Sequence, residues 1–284
     1  MSTRPGPPNA MTIDVEDYFH AEALSPCFPR HRWDRVEGRV EANIDRLLGH
    51  FDTAGIHATF FTLGWVAERY PDMVRRIAAA GHEIASHGYD HRRADRQPRD
   101  EFAADIRKSK DILEDIGGQP VIGYRAANFS IAGGNFWAFD ALESAGFRYS
   151  SSIYPIRHDS YGMPEASRFP FRPADGALVE IPVTTTVRFG TNFPSGGGGY
   201  FRLLPYWLSR ANMRRVNAAD RQPCIFYFHP WEIDTCQPRQ TGISRRSRLR
   251  HYTNLGTMEP RLRRLLDDFN WDRMDMVFRD LLPN

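Results

Sequence analysis

The sequence predicts a parallel α/β fold, and three observations carry the prediction. Short apolar runs of strand character alternate with helical stretches from residue 11 to about residue 150, several of those stretches stop at a glycine, and reactive polar side chains stand where the apolar runs end. Regular alternation implies parallel strands joined by crossover helices, in either a (β/α) barrel or an open doubly wound sheet. A chain of 284 residues suits one large domain with embellishments.

Met11-Thr12-Ile13-Asp14-Val15-Glu16-Asp17 begins as a strand and ends in three carboxylates, which repel one another unless a cation or an arginine stands beside them. Val40, Ile44, Leu47, Leu48 and Phe51 then recur at helical spacing, and Gly55 follows as a stop. Residues 57–63 read as a buried strand, and Pro71 opens a helix carrying Met73, Val74 and Ile77 that ends at Gly81. The next strand, residues 83–86, delivers His87; Gly88 lets the backbone turn, and His91 follows four positions after His87. A helix with Phe102, Ile106, Ile112, Leu113 and Ile116 closes at Gly117-Gly118. Val121-Ile122-Gly123-Tyr124 is a strand delivering Arg125, and a helix with Phe136, Phe139 and Leu142 stops at Gly146 before a short strand over about residues 147–150.

Beyond Ser151 the pattern loosens. A strand is expected over residues 178–183, with Pro182 favouring an edge or a strand end. Gly196 to Gly199 read as a flexible loop leading to Tyr200 and Phe201, of a kind that often borders a binding site, but without the lysine of a phosphate-binding loop. Residues 203–217 are expected to be one helix. Ile225-Phe226-Tyr227-Phe228 is a last buried strand ending at His229, and Leu262, Leu265, Leu266, Phe269 and Trp271 predict an amphipathic helix packing on the domain.

Composition narrows the function classes. Hydrophobic residues make up 41% and charged residues 25% of the chain, as in ordinary globular proteins, and a net charge of +2 gives no reason to invoke nucleic acid. The basic run Arg245-Arg246-Ser247-Arg248-Leu249-Arg250 reads first as a solvated loop, with contact to an acidic polymer or phospholipid as the lesser alternative. Cys27, Cys224 and Cys236 suggest neither a disulfide framework nor a structural zinc module, so a reducing compartment is expected. No window approaches a membrane span, and Pro5, Pro7 and Pro8 stand where a signal peptide would be apolar; the expectation is a cytoplasmic protein with a disordered leader over residues 1–10.

Asp14, His87, Arg125 and His229 each end a predicted strand. In parallel α/β folds those ends share one face, where the loops build the active site. The pair His87 and His91 can face one point, and two imidazoles with one carboxylate leave open positions on a divalent metal, a set suited to hydrolysis.

These motifs resemble those of the NodB-like polysaccharide deacetylases, carbohydrate esterase family four. Thr12-Ile13-Asp14-Val15-Glu16 is similar to the first motif, Ser86-His87-Gly88-Tyr89-Asp90-His91 to the paired-histidine motif, Arg125-Ala126-Ala127-Asn128 to the arginine motif and Tyr227-Phe228-His229-Pro230 to the last histidine motif. The Asp-Val-Glu-Asp-Tyr-Phe start, the segment at 197–205 and the tail from Arg250 to Phe269 resemble the branch found beside exopolysaccharide and exosortase loci.

The resemblance implies a deformed (β/α) barrel, with a deacetylase domain over residues 11–235 and a C-terminal extension over 236–284 packing on it. It implies removal of N-acetyl groups from a glycan substrate by a metal-dependent hydrolase, with zinc as the first candidate and cobalt, nickel or manganese as alternatives. Carried over by position, Asp14 is the general base, His87 and His91 are metal ligands, Arg125 pairs with Asp14, His229 is the general acid, and the backbone N–H of Asn128 holds the oxyanion. The third ligand falls to Glu16, which strand alternation puts on the face of Asp14, with Asp17 as the fallback. Tyr200 and Trp231 are candidates for stacking on sugar, as are Trp33 and Tyr161. One departure stands out: where many members carry an aspartate that orients the acid histidine, this chain has Ser150, leaving Asp159, Glu232 or Asp234 as replacements. The alternative functions are a catalytically impaired glycan-binding homologue and a C–N hydrolase acting on a small amide.

Overall fold

The computed structural model describes residues 6–173 and 176–283. The leading strand β1 (Asn9–Val15) is buried along its whole length, and α1 (Val40–Ala54), β2 (Thr59–Thr62), α2 (Gly64–Arg69), α3 (Pro71–Ala79) and β3 (Glu83–Ser86) follow. Then come α4 (Arg99–Gly117), β4 (Gly123–Tyr124), α5 (Trp137–Ser144), β5 (Tyr149–Ser150) and β6 (Val179–Glu180). A hairpin of β7 (Thr185–Arg188) and β8 (Thr191–Pro194) stands apart as a second sheet, and α6 (Gly198–Leu203), α7 (Tyr206–Arg215) and β9 (Ile225–Phe228) return the chain to the first. After residue 235 it forms α8 (Arg245–Tyr252), α9 (Leu255–Asp268), β10 (Trp271–Asp272) and α10 (Met274–Val277).

Every pairing in the main sheet is parallel. The strands β1 to β6 lie in chain order, β9 pairs with Ala10–Ile13 of β1, and β10 pairs with Asn9 and Ala10. The gap between β6 and β9 is spanned by irregular chain: Ile225 N–H donates to Thr184 Oγ1 at 2.6 Å and Tyr227 N–H to the Gly196 carbonyl at 2.8 Å. The result is an incomplete parallel barrel with its helices outside. Every position of β1, β2 and β9 is buried, as for parallel strands covered on both faces.

Several sequence expectations need revision. Residues 1–5 of the expected leader lie outside the described residues, and strand pairing starts at Asn9, two residues before Met11. The expected helix over 203–217 is two helices, because Pro205 cannot continue the first and caps the second. Trp271 lies in β10, not in the C-terminal helix, and the basic run expected as a loop forms α8.

The glycine run is not a free loop. A Cβ on Gly196 would fall 2.2 Å from the Ile225 carbonyl oxygen, one on Gly197 2.6 Å from the Tyr227 ring, and one on Gly198 2.2 Å from Glu232 Oε1. These residues lack side chains because β9 and the segment after it pass directly over them.

Candidate active site

The C-terminal ends of β1, β3, β4 and β9 bring Asp14, Glu16, His87, His91, Arg125 and His229 together, as expected for strands that all point one way. Gly88 at φ 77° turns the chain after β3, and His91 itself sits at φ 59°, so the two imidazoles come from one tight bend with ring centres 5.3 Å apart.

Arg125 is fully buried and rigidly held. Its Nη1 donates to Asp14 Oδ1 at 2.6 Å and to Thr12 Oγ1 at 2.9 Å, its Nε to the Ser151 carbonyl at 3.1 Å and its Nη2 to Ser151 Oγ at 3.0 Å, with the Phe61 ring 4.0 Å beneath. One carboxylate oxygen of Asp14 is thereby spoken for. The other, Oδ2, lies 3.9 Å from His229 Nε2.

Glu16 Oε1 meets His229 Nε2 at 2.9 Å, while its Oε2 lies 3.2 Å from His91 Nε2 without a hydrogen bond and has no other partner although it is buried. Burial opposes the charge on Glu16, but His91 and His229 outweigh it and hold the carboxylate far below its usual range. Asp17, the fallback ligand, is used elsewhere: its side chain accepts from the backbone N–H groups of Tyr18, Arg39 and Val40 at 2.8, 2.5 and 2.9 Å.

Among the described residues, no three His, Cys, Asp or Glu side chains close on one point tightly enough to grip an ion as they stand. The donors nevertheless fit a divalent cation. Two ligands of a tetrahedral zinc at about 2.0–2.1 Å stand roughly 3.3 Å apart, which is the relation of His91 to the orphaned oxygen of Glu16. His87 Nδ1 is bonded to the Arg125 carbonyl at 2.8 Å, leaving Nε2 as its donor, and burial lowers its pKa to about 4, so the ring is neutral and able to ligate.

The carboxylate partner of His229 is Glu232, one 3₁₀ turn downstream. Glu232 Oε1 lies 2.9 Å from His229 Nδ1, and its Oε2 accepts from Arg202 Nε at 2.6 Å. Of the other two candidates, Asp234 pairs with Arg39 and Asp159 with Arg246 and Arg250. Burial disfavours protonated His229, but Glu16 and Glu232 outweigh it and raise its pKa to about 10; Glu232 is depressed to about 2, with Arg202 the leading charge that overcomes its desolvation. Ser150 points elsewhere: its hydroxyl donates to Ser152 Oγ at 2.7 Å, beside buried Glu180, which accepts from the N–H groups of Ser152 and Ile153.

Sequence reasoning missed Arg202. It is fully buried, and besides Glu232 it donates to the carbonyls of Arg250, His251 and Thr253, tying the C-terminal segment to the partner of His229. The available signal was an arginine inside the apolar stretch Tyr-Phe-Arg-Leu-Leu.

A cavity of about 420 Å³ opens beside Glu16 and His229 and is lined also by Asn128, Tyr161, Tyr200 and Trp231, while Asp14, His87, His91 and Arg125 do not line it; its size is within the roughly 300–1,000 Å³ of small-molecule sites. Asn128 adopts the left-handed conformation at φ 54°. Tyr200 is half-buried at the wall. Trp231 is only 6% exposed and stacks on His229 and His251 with ring centres 5.1 and 4.2 Å away, so it braces the histidine more than it faces a sugar. Trp33, another stacking candidate, is buried against Phe19, His20 and Trp65 and does not line the cavity.

Comparison with known proteins bears on the family and the fold. A polysaccharide deacetylase family model matches residues 33–149, and a domain of unknown function, DUF3473, matches 151–279. The chain is similar to a peptidoglycan-N-acetylglucosamine deacetylase of Bacillus cereus, 39% identical over 75 residues, 26% of each chain; it covers well under half the length of the curated relatives it matches. In structure it resembles a candidate polysaccharide deacetylase from Mycobacterium smegmatis, at TM-score 0.62 and 21% identity over 99% of this chain and 92% of that one. It also resembles a family-four pseudoenzyme from Bacillus anthracis, at TM-score 0.52 and 12% identity over 96% of this chain and 66% of that one; at such identities both likenesses concern the fold. Matched motifs, parallel curled sheet and family model agree that this chain carries a NodB-like polysaccharide deacetylase domain.

Proposed function

We propose that this chain is a metal-dependent deacetylase that removes N-acetyl groups from an amino-sugar-containing polysaccharide or its precursor, in exopolysaccharide biosynthesis in the cytoplasm. One observation carries the reading: two acid-base couples, Arg125–Asp14 and Arg202–Glu232–His229, meet with Asp14 Oδ2 3.9 Å from His229 Nε2, beside Glu16, which contacts His229 and His91. The exopolysaccharide role is supported by the sequence segments at 14–19 and 197–205, and the compartment by the free cysteines. No helix among the described residues is long and apolar enough to cross a membrane.

Glu16, His87 and His91 would hold the divalent ion, zinc before cobalt, nickel or manganese. Bound there, it supplies Lewis-acid polarisation of the acetyl carbonyl and of the attacking water. Asp14 Oδ2, the oxygen that Arg125 leaves free, takes a proton from that water as its oxygen bonds to the acetyl carbon. The backbone N–H of Asn128 is offered to the developing oxyanion. His229 donates Nδ1–H to Glu232, which leaves Nε2 as the acid that protonates the amide nitrogen as the C–N bond breaks; without that proton the amine is a prohibitive leaving group. Acetate and a free amino sugar leave. Glu232 stands to His229 as the missing aspartate would, which weakens the impaired-homologue reading that Ser150 suggested.

The test is acetate release from N-acetylated oligosaccharides by the metal-loaded chain, with Asp14→Asn and His229→Asn each expected to lose about 10²-fold or more. A folded, metal-loaded protein that binds the glycan and releases no acetate would establish the impaired homologue instead; turnover of small amides alone would establish the C–N hydrolase.

A further inference from the structure

We propose that the wall of the cavity formed by α8 is a subsite for an anionic group on the glycan, a carboxylate or phosphate near the sugar that is deacetylated. The inference rests on the glycan-deacetylase reading above and names the substrate class.

The charges on the cavity wall are unequally compensated. Of its carboxylates, Glu16 meets histidines and Glu232 meets Arg202, while Glu22 lies 3.6 Å from Arg93, a guanidinium that Asp95 holds at 2.7 Å. The cation Arg250 has one acidic partner, Asp159, at 2.9 Å, and Arg246 claims the second oxygen of that same carboxylate at 3.0 Å. On α8 two guanidinium groups share one negative charge, so the α8 side of the wall keeps one cation more than it has acids to pair with. Asp159 fixes their orientation without neutralising them.

The surroundings suit a charged saccharide. Arg250 and Ser247, one helical turn apart, both line the cavity, as do His158 and Ser160, which flank the Asp159 that pairs with α8. Tyr161 and Tyr200 offer aromatic surface between these groups and the catalytic histidine. The subsite is also mechanically joined to the catalytic centre: Arg202 donates to the Arg250 carbonyl, binds Glu232, and Glu232 holds His229. Arg250 and Arg246 are 38% and 68% exposed, so an incoming anion can reach them without breaking a buried pair.

The experiment is calorimetric titration of the metal-loaded full chain at low salt with a tetrasaccharide alternating N-acetylglucosamine and glucuronate, against neutral tetra-N-acetylchitotetraose. A second pair, N-acetylglucosamine 1-phosphate against N-acetylglucosamine, separates phosphate from carboxylate. The acidic member of at least one pair is expected to bind about fivefold tighter, and Arg246→Gln with Arg250→Gln to bring the ratio near one. The Arg250 change leaves its backbone carbonyl for Arg202, and Arg246→Gln alone, at a more exposed site, should reduce the ratio part of the way. Equal affinity within both pairs, no glycan binding at all, or a preference that survives both changes would overturn the proposal. If the preference and its loss are seen but no acetate is released from any glycan, the subsite stands and the deacetylase reading falls.

Discussion

Replacing Glu232 by Gln tests the acid half of the site most directly. The change keeps the side chain's shape and an acceptor for His229 Nδ1–H, now 2.9 Å away, but removes the charge. A carboxylate this close raises a histidine pKa by about 1–3 units, or roughly 1–4 kcal/mol, so its loss lowers the His229 pKa by that amount. His229 must carry its proton to act, so the alkaline limb of the kcat profile moves to lower pH, and kcat falls by up to about 10²-fold as the imidazolium loses its orienting charge and, on the alkaline side, its proton. Stability falls too. Breaking a buried ion pair costs about 3–5 kcal/mol, and the low end applies because Arg202 keeps three backbone carbonyls, which places the loss of Tm on the order of 10 °C. Acetate release across pH, measured well below the lowered Tm and with metal content checked, reads the effect. A folded, metal-loaded variant with wild-type kcat and an unmoved alkaline limb would refute the relay.

His91→Ala should cost most of the bound metal by elemental analysis, whereas Asp17→Ala should keep the metal and lose about 1–3 kcal/mol of stability with three backbone donors left unpaired; equal metal loss in both would reopen the ligand assignment. Gly198→Ala puts a Cβ 2.2 Å from Glu232 Oε1, so it should reproduce the lowered kcat and shifted alkaline limb of the Glu232 variant, and an unaltered profile would show that the close approach is not functional. Glu180 is buried with its pKa raised by desolvation to about 7 from an ordinary 4.5. Its folded pKa exceeds the unfolded one, so its share of stability is complete below pH 4.5 and is lost up to about pH 7, roughly 3 kcal/mol in all, seen by chemical denaturation. Glu180→Gln should flatten that slope, and a slope unchanged in the variant would contradict the assignment.

The sequence by itself determined the alternation of strand and helix and the residues at the strand ends. Those are local facts: periodicity of two or 3.6, a capping glycine or an opening proline, and a rule that parallel strands point their ends one way. That sufficed to place Asp14, His87, Arg125 and His229 on one face. What only the tertiary structure decided are the pairings between distant segments. Glu232 rather than Asp159 or Asp234 serves His229 because Arg39 and the arginines of α8 engage the other two. The side chain of Asp17 is turned to backbone donors at Arg39 and Val40, more than twenty positions away. Arg202 meets Glu232 across thirty residues, over glycines that read as slack in sequence and are close contacts in the fold. Three-dimensional contacts of this kind depend on which surfaces meet after the chain collapses, and no local period records them.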